Sequence, residues 1–130
     1  MKRFDEEIEK YAYEFIGAAI EVHRQLGPGF LEIVYANALE IELQKRGIGY
    51  VREYAFHIYY DGDQIVGKGR CDFFIENRLV VELKAVEHMP KIYWHQVTHY
   101  LRRMNEPLGL LVNFCVETLN RGGINRVING

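Results

Sequence analysis

Cys71-Asp72-Phe73-Phe74-Ile75-Glu76-Asn77-Arg78-Leu79-Val80-Val81-Glu82-Leu83-Lys84-Ala85 decides the fold. Two apolar runs flank a polar tip, Glu76-Asn77-Arg78, and Asn tolerates the left-handed backbone of a tight turn, so the stretch reads as a β-hairpin. Alternation along the second strand sets Leu79, Val81, Leu83 and Ala85 on one face and Val80, Glu82 and Lys84 on the other. A carboxylate and an ammonium thus project from a strand that is otherwise apolar. Such strands run inside sheets, where charges are costly unless paired or bound to a metal.

The length of the turn fixes what faces what. A three-residue turn pairs Ile75 with Leu79 and brings Asp72 opposite Glu82, on the same face. A two-residue turn would send Asp72 to the face of Val81 and Leu83, without a partner. The odd turn, or a bulge of the same parity, is therefore expected. Two carboxylates beside a lysine suit a hard divalent cation, with the lysine acting on water or on phosphate charge. The local residues leave a second reading open, in which Lys84 is a buried ion-pair partner of Asp72 or Glu82.

The 130 residues predict one domain with a core of its own. At 48% hydrophobic and 26% charged, the composition is that of a soluble globular protein. Charges crowd the N-terminus and no apolar run is long enough for a bilayer, so neither a signal peptide nor a membrane helix is expected, and a cytoplasmic location is. Cys71 and Cys115 are expected as free, buried thiols, and two cysteines are too few for a four-thiolate cluster. Net charge is −2, which argues against grip on nucleic acid by bulk electrostatics. Residues 1–67 carry 7 Lys/Arg against 12 Asp/Glu (net −5), while residues 68–130 carry 9 against 6 (net +3). The basic half is the half with the hairpin.

Upstream, Ile8, Ala12, Phe15, Ala19, Val22 and Leu26 repeat at helical spacing and predict a helix from about Asp5 to Leu26. His23 lies on its flank and reads first as a packing residue with a satisfied nitrogen. Gly27-Pro28-Gly29 ends that helix. A second helix is expected from Phe30 to Arg46, capped by Gly47, with Glu32 in its first turn beside Tyr35. Tyr50 to Tyr60 reads as a strand, with Tyr59 and Tyr60 assigned to packing. Asp61-Gly62-Asp63 reads as a turn, and Ile65-Val66 as a short extended piece before a bend or bulge at Gly67 and Gly69.

Downstream, Pro90 opens a helix to about Met104 that sets Gln96 and Tyr100 on nearly the same side. Leu108 to Phe114 reads as a central strand and Ile124 to Ile128 as a last short one. The order is α-α-β-β-β-α-β-β. A strand–helix–strand crossover makes the last long strand parallel to the Lys84 strand. The fold class expected is α/β, a mixed sheet with helices on both faces.

This order, with Asp72 followed by Glu82-Leu83-Lys84 on the next strand, resembles the PD-(D/E)XK nuclease superfamily and its restriction-endonuclease-like core. Within it, Gly29-Phe30-Leu31-Glu32-Ile33-Val34-Tyr35, preceded by His23-Arg24-Gln25-Leu26-Gly27-Pro28, resembles the name motif of the GxxExxY family. The likeness runs over nearly the whole chain, to Gly109-Leu110-Leu111-Val112-Asn113-Phe114. It implies metal-dependent phosphodiester hydrolysis of nucleic acid, DNA for preference, at ends, flaps or single strands. Asp72 and Glu82 would ligate Mg²⁺ or Mn²⁺, with the Leu83 carbonyl as a further ligand and Glu32 completing the site. Lys84 would act on the attacking water or the phosphate. Gln96 and Tyr100 resemble the Q-x-x-x-Y element that lies near substrate, His23 stands upstream of the acids as a metal-ligating histidine does in part of that branch, and Tyr35 would support the site. A homodimer or larger complex fits a domain this small. Two other readings compete: a non-catalytic module binding nucleic acid or protein, and a structural subunit.

Overall fold

In the computed structural model, which describes residues 3–130, the hairpin closes with the odd turn: Ile75 stands opposite Leu79, Phe74 opposite Val80 and Phe73 opposite Val81. Glu76 and Asn77 take the positive φ angles that turn requires, and Arg78 N–H closes it on the Ile75 carbonyl. Arg78 also reaches Asp5 and Glu7, pinning the turn to the start of the first helix.

The chain runs α1 (Glu6–Leu26), α2 (Glu32–Arg46), β1 (Tyr50–Tyr60), β2 (Gln64–Ile75), β3 (Leu79–Lys84), α3 (Ile92–Met104), β4 (Leu108–Asn113) and β5 (Ile124–Ile128). The five strands form one sheet in sequence order. β3 and β4 are parallel across the α3 crossover, and the other neighbours are antiparallel. α1 and α2 cover one face, packing Phe15, Tyr35 and Leu39 against Phe73, Val81, Leu83 and Leu110. α3 covers the other, packing Val97 and Leu101 against Val80, Leu111 and Phe74. This is the mixed α/β sheet flanked by helices expected of a restriction-endonuclease-like core. Among the described residues no helix is long and apolar enough to cross a membrane.

Three expectations need correction. Ile65-Val66 is not a short separate piece, because β2 is continuous from Gln64 to Ile75. Gly67 and Gly69 do not break it. The Phe56 ring lies where a Cβ on Gly69 would sit, so the cross-strand aromatic fills the missing side chain's place. The irregularity falls beside them: Ile58 pairs with Gly67 and Tyr59 with Ile65, leaving Val66 as the extra residue. Tyr59 and Tyr60 are not packing residues, being 51% and 70% exposed. Cys71 is a buried free thiol as expected, but Cys115, a free thiol just after β4, is only half-buried.

β1 and β2 outrun the sheet. β2 pairs with β3 only at its C-terminal end, while its pairing with β1 continues to Gln64 opposite Tyr60. A two-stranded ribbon therefore projects beyond β3. Where it leaves the sheet, alternation slips by one residue. Phe73 and Tyr50 face the α1/α2 layer, yet Cys71 and Tyr54, each an even step away, pack with Phe74 and Val80 under α3. Asp72 and Glu53 lie at the slip, and Glu53 has a φ of 56°.

Candidate active site at the strand divergence

Strands that part leave backbone groups without ladder partners, and buried N–H groups must find others. Here they find carboxylates. Asp72 N–H donates to Glu82 Oε1 at 3.1 Å, and Leu83 N–H donates to Asp72 Oδ2 at 2.7 Å. Each acidic side chain thus caps the backbone beside the other. Asp72 is half-buried and Glu82 buried. The pairing read from the sequence is realised through side chain and backbone rather than as a further rung of the ladder.

Two acids this close, this far from water, cannot both be charged cheaply. The Glu82 carboxyl is pushed up to about 8, first by burial, then by the charge of Asp72 and by the hydrogen bond that a protonated Glu82 gives it; Lys84 pulls the other way. Glu32, in the first turn of α2, is shifted in the same direction by partial shielding of its carboxyl and by the charge of Asp72, again offset by Lys84. Glu32 and Asp72 line one hollow of about 400 Å³ with Arg52, Glu53 and Arg70.

Lys84 closes the other side. Its Nζ lies 4.2 Å from the centre of the Tyr93 ring, at the start of α3. Tyr100, two turns further along α3, has its phenol pushed up by burial and then by the charges of Glu82 and Asp72. Gln96 stands one turn before Tyr100, half-buried on that flank. Cys71 is driven up to about 12 by burial and by the same two carboxylates, which keeps its thiol protonated and inert.

The structure therefore brings together Glu32, Asp72, Glu82, Lys84 and Tyr100. It places His23 and Tyr35 in the frame instead. His23 Nε2 is 2.8 Å from the Val116 carbonyl, and its ring lies near Phe114. Tyr35 is fully buried and stacks on Phe114, with 4.4 Å between ring centres. Its hydroxyl donates to the Gly27 carbonyl at 2.6 Å and accepts from Phe30 N–H at 3.2 Å, which fixes the loop from which Glu32 emerges. Two neighbours escaped the sequence reading. Arg70 sits two residues before Asp72, a spacing that alternation could have flagged, and Tyr93 precedes Gln96 by one helical turn.

Among the described residues no three His, Cys, Asp or Glu side chains stand close enough to hold an ion by themselves. Neither His23 nor Glu32 closes a ring of protein ligands around the hairpin pair. The donor set is nevertheless that of a hard cation: two oriented carboxylates, an adjacent backbone carbonyl on Leu83, and a protonated Glu82 whose excess proton a cation would displace. Magnesium sites of one or two carboxylates completed by phosphate and water have this form.

A family model described as "PD-(D/E)XK nuclease superfamily" matches residues 9–127. Among solved structures, one described as "Crystal structure of SSO0001" matches with a TM-score of 0.55 and 23% identity, over 73% of this chain and 48% of that one. The chain spans about half the length of that protein, and the likeness is one of fold. No curated protein matches.

Proposed function

The chain belongs to the PD-(D/E)XK nuclease superfamily, and on that premise we propose that it hydrolyses phosphodiester bonds in DNA with Asp72, Glu82 and Lys84 at the reacting centre. The Gly29–Tyr35 motif supports a place in the GxxExxY family, and residues 1–130 are read as one nuclease domain. The observation that carries the proposal is the reciprocal capping of Asp72 and Glu82 at the point where β2 leaves β3. It holds two acids close together, with the Lys84 charge near enough to act on Glu82.

PD-(D/E)XK nucleases generally use divalent metals, and the residues that would hold Mg²⁺ or Mn²⁺ here are Asp72 and Glu82, with the Leu83 carbonyl. Such a cation supplies positive charge to phosphate oxygens and acidifies water. Lys84 contributes a second positive charge, directed by the Tyr93 ring, to the water nucleophile or the developing phosphate charge. Glu32 faces the same hollow as Asp72 and is placed to order water there. Tyr100 and Gln96 offer hydrogen bonds to substrate from the α3 side. Tyr35 acts through Glu32 by holding its loop, and His23 by holding the segment at Val116.

The test is cleavage of end-labelled single-stranded, flapped and duplex DNA with Mg²⁺ or Mn²⁺, by the wild type and by Asp72→Asn and Lys84→Ala. Wild-type cleavage lost in both variants, with their melting temperatures retained, supports the proposal. Cleavage that persists in both refutes it, as does a wild type that binds DNA yet leaves every substrate intact.

A further inference from the structure

The projecting ribbon has two unlike faces. Beyond the slip at Asp72, Tyr54 and Phe56 turn toward α3, where Phe56 meets Tyr100 edge to face at 5.2 Å between ring centres. The opposite face carries the pairs Ala55–Arg70, His57–Lys68 and Tyr59–Ile65, since directly opposed residues share a face. All six residues are exposed.

The order along this face matters. Arg70 lines the hollow shared by Asp72 and Glu32, where it meets Glu53 in an exposed ion pair at 3.8 Å that a phosphate can replace. Lys68 and His57 line the next hollow outward, of about 180 Å³. Tyr59 follows, exposed to solvent, its ring set edgewise to that of His57 at 6.1 Å and 86°. Acid site, guanidinium, ammonium with imidazole, and aromatic ring thus lie in one line. Two residues of a strand advance about 6.6–6.8 Å, so Asp72 to Lys68 spans about 13 Å, roughly four nucleotides of a stacked strand and fewer of an extended one.

We infer that this face is a track for the unpaired strand of a nucleic-acid substrate, leading outward from the Asp72 carboxylate, with Arg70 and Lys68 on phosphates and Tyr59 stacking on a base. The inference rests on the nuclease reading and names the substrate class for it. Charge complementarity and continuity with the candidate active site favour nucleic acid here. A single row of cations on a ribbon two strands wide matches one phosphate backbone rather than two. The exposed Tyr59 ring requires an unstacked base, which a duplex interior does not offer. A second copy of the chain fits less well, because a twofold contact on this face would set the Arg70–Lys68 row against the same row of the copy.

The test is fluorescence anisotropy of a labelled single-stranded oligonucleotide and a blunt duplex of equal length, with EDTA present so that binding is read without cleavage. The wild type is expected to prefer the single strand. Tyr59→Ala should weaken single-strand binding about fivefold or more and leave the duplex unchanged, and Tyr59→Trp should retain affinity. Lys68→Ala should lower the slope of log affinity against log salt by about 0.7. Equal affinity of Tyr59→Ala and wild type for the single strand would overturn the track. So would sedimentation showing a wild-type dimer that Ile65→Glu dissociates while oligonucleotide binding is unchanged, which would assign the face to self-association. Asp72→Asn separates the two ideas. Binding kept and cleavage lost upholds both, whereas Tyr59-dependent binding with cleavage undiminished in Asp72→Asn refutes the catalytic assignment and leaves the track standing.

Discussion

Lys84 and Tyr93 form a cation–π pair, with Nζ 4.2 Å from the ring centre, across the gap between β3 and the start of α3. A lysine on a four-carbon stem has many rotamers, and the ring selects those that hold the ammonium over it, where its charge is felt at Glu82. Such contacts contribute about 0.5–2 kcal/mol. Tyr93→Leu should therefore lower kcat several-fold with little change in KM, and Tyr93→Phe should restore it. Equal rates for Leu and Phe would mean that the ring does not position the lysine.

The raised Glu82 carboxyl makes folding stability depend on pH. Its native value, about 8, lies above its ordinary 4.5, so the native state holds the proton more tightly than the unfolded chain. The resulting stabilisation is full below about 4.5 and is lost as pH rises through about 8. Glu82→Gln, which keeps an oxygen for the Asp72 N–H, should remove that slope. Urea denaturation at pH 5 and pH 8.5 should show the variant gaining on the wild type at the higher pH, by a few kcal/mol at most. An unchanged slope would place the pH dependence elsewhere.

Cation binding should displace the same proton. At pH 7 a carboxyl titrating near 8 is mostly protonated, so Mn²⁺ binding is expected to release roughly one proton per ion, and affinity should climb with pH up to about 8. Calorimetry in two buffers of different ionisation enthalpy measures that release. Tight binding with no proton release would show that the ion sits away from Glu82.

Tyr35→Phe tests the frame rather than the chemistry. It removes the partner of the Gly27 carbonyl and of Phe30 N–H, and leaving such groups unsatisfied costs about 1–3 kcal/mol. The stacking on Phe114 remains. Chemical denaturation should show that loss. Because the loop carries Glu32, cleavage per folded molecule should also fall, and Glu32→Gln in the Tyr35→Phe background should add little further. Full additivity of the two would separate Tyr35 from Glu32.

Much of this was legible because hairpin geometry is a matter of parity. An odd turn pairs Ile75 with Leu79 and sets Asp72 opposite Glu82, and the faces of Glu82, Lys84, Gln96 and Tyr100 follow from periods of two and about three and a half. The ribbon was not legible. Gly67 and Gly69 argue against a strand by propensity, and pairing with β1, with the Phe56 ring lying over Gly69, overrides them. With the strand cut short, Tyr59 and Tyr60 had nowhere to be but the core, and Arg70 and Lys68 had no face to share. Tyr35 and His23 share motifs with the acids, and sequence proximity cannot tell a residue that touches substrate from one that ties a loop. The slip at Asp72 was hidden for a related reason. Alternation is read as unbroken until something interrupts it, and here the interruption is two acids capping one another's backbone.

β2 is one strand living in two neighbourhoods. Phe73–Ile75 lie within the sheet, paired with strands on both sides, whereas residues 64–71 pair with β1 alone. Amide hydrogen exchange along this single strand should therefore run on two clocks. Phe74 would open only with the whole molecule, and Lys68 would open whenever the ribbon frays. Asp72 stands at the boundary. The outer ribbon can melt and re-form many times while the carboxylate pair keeps its geometry, so whatever rests on the ribbon can be let go without dismantling the centre beside it.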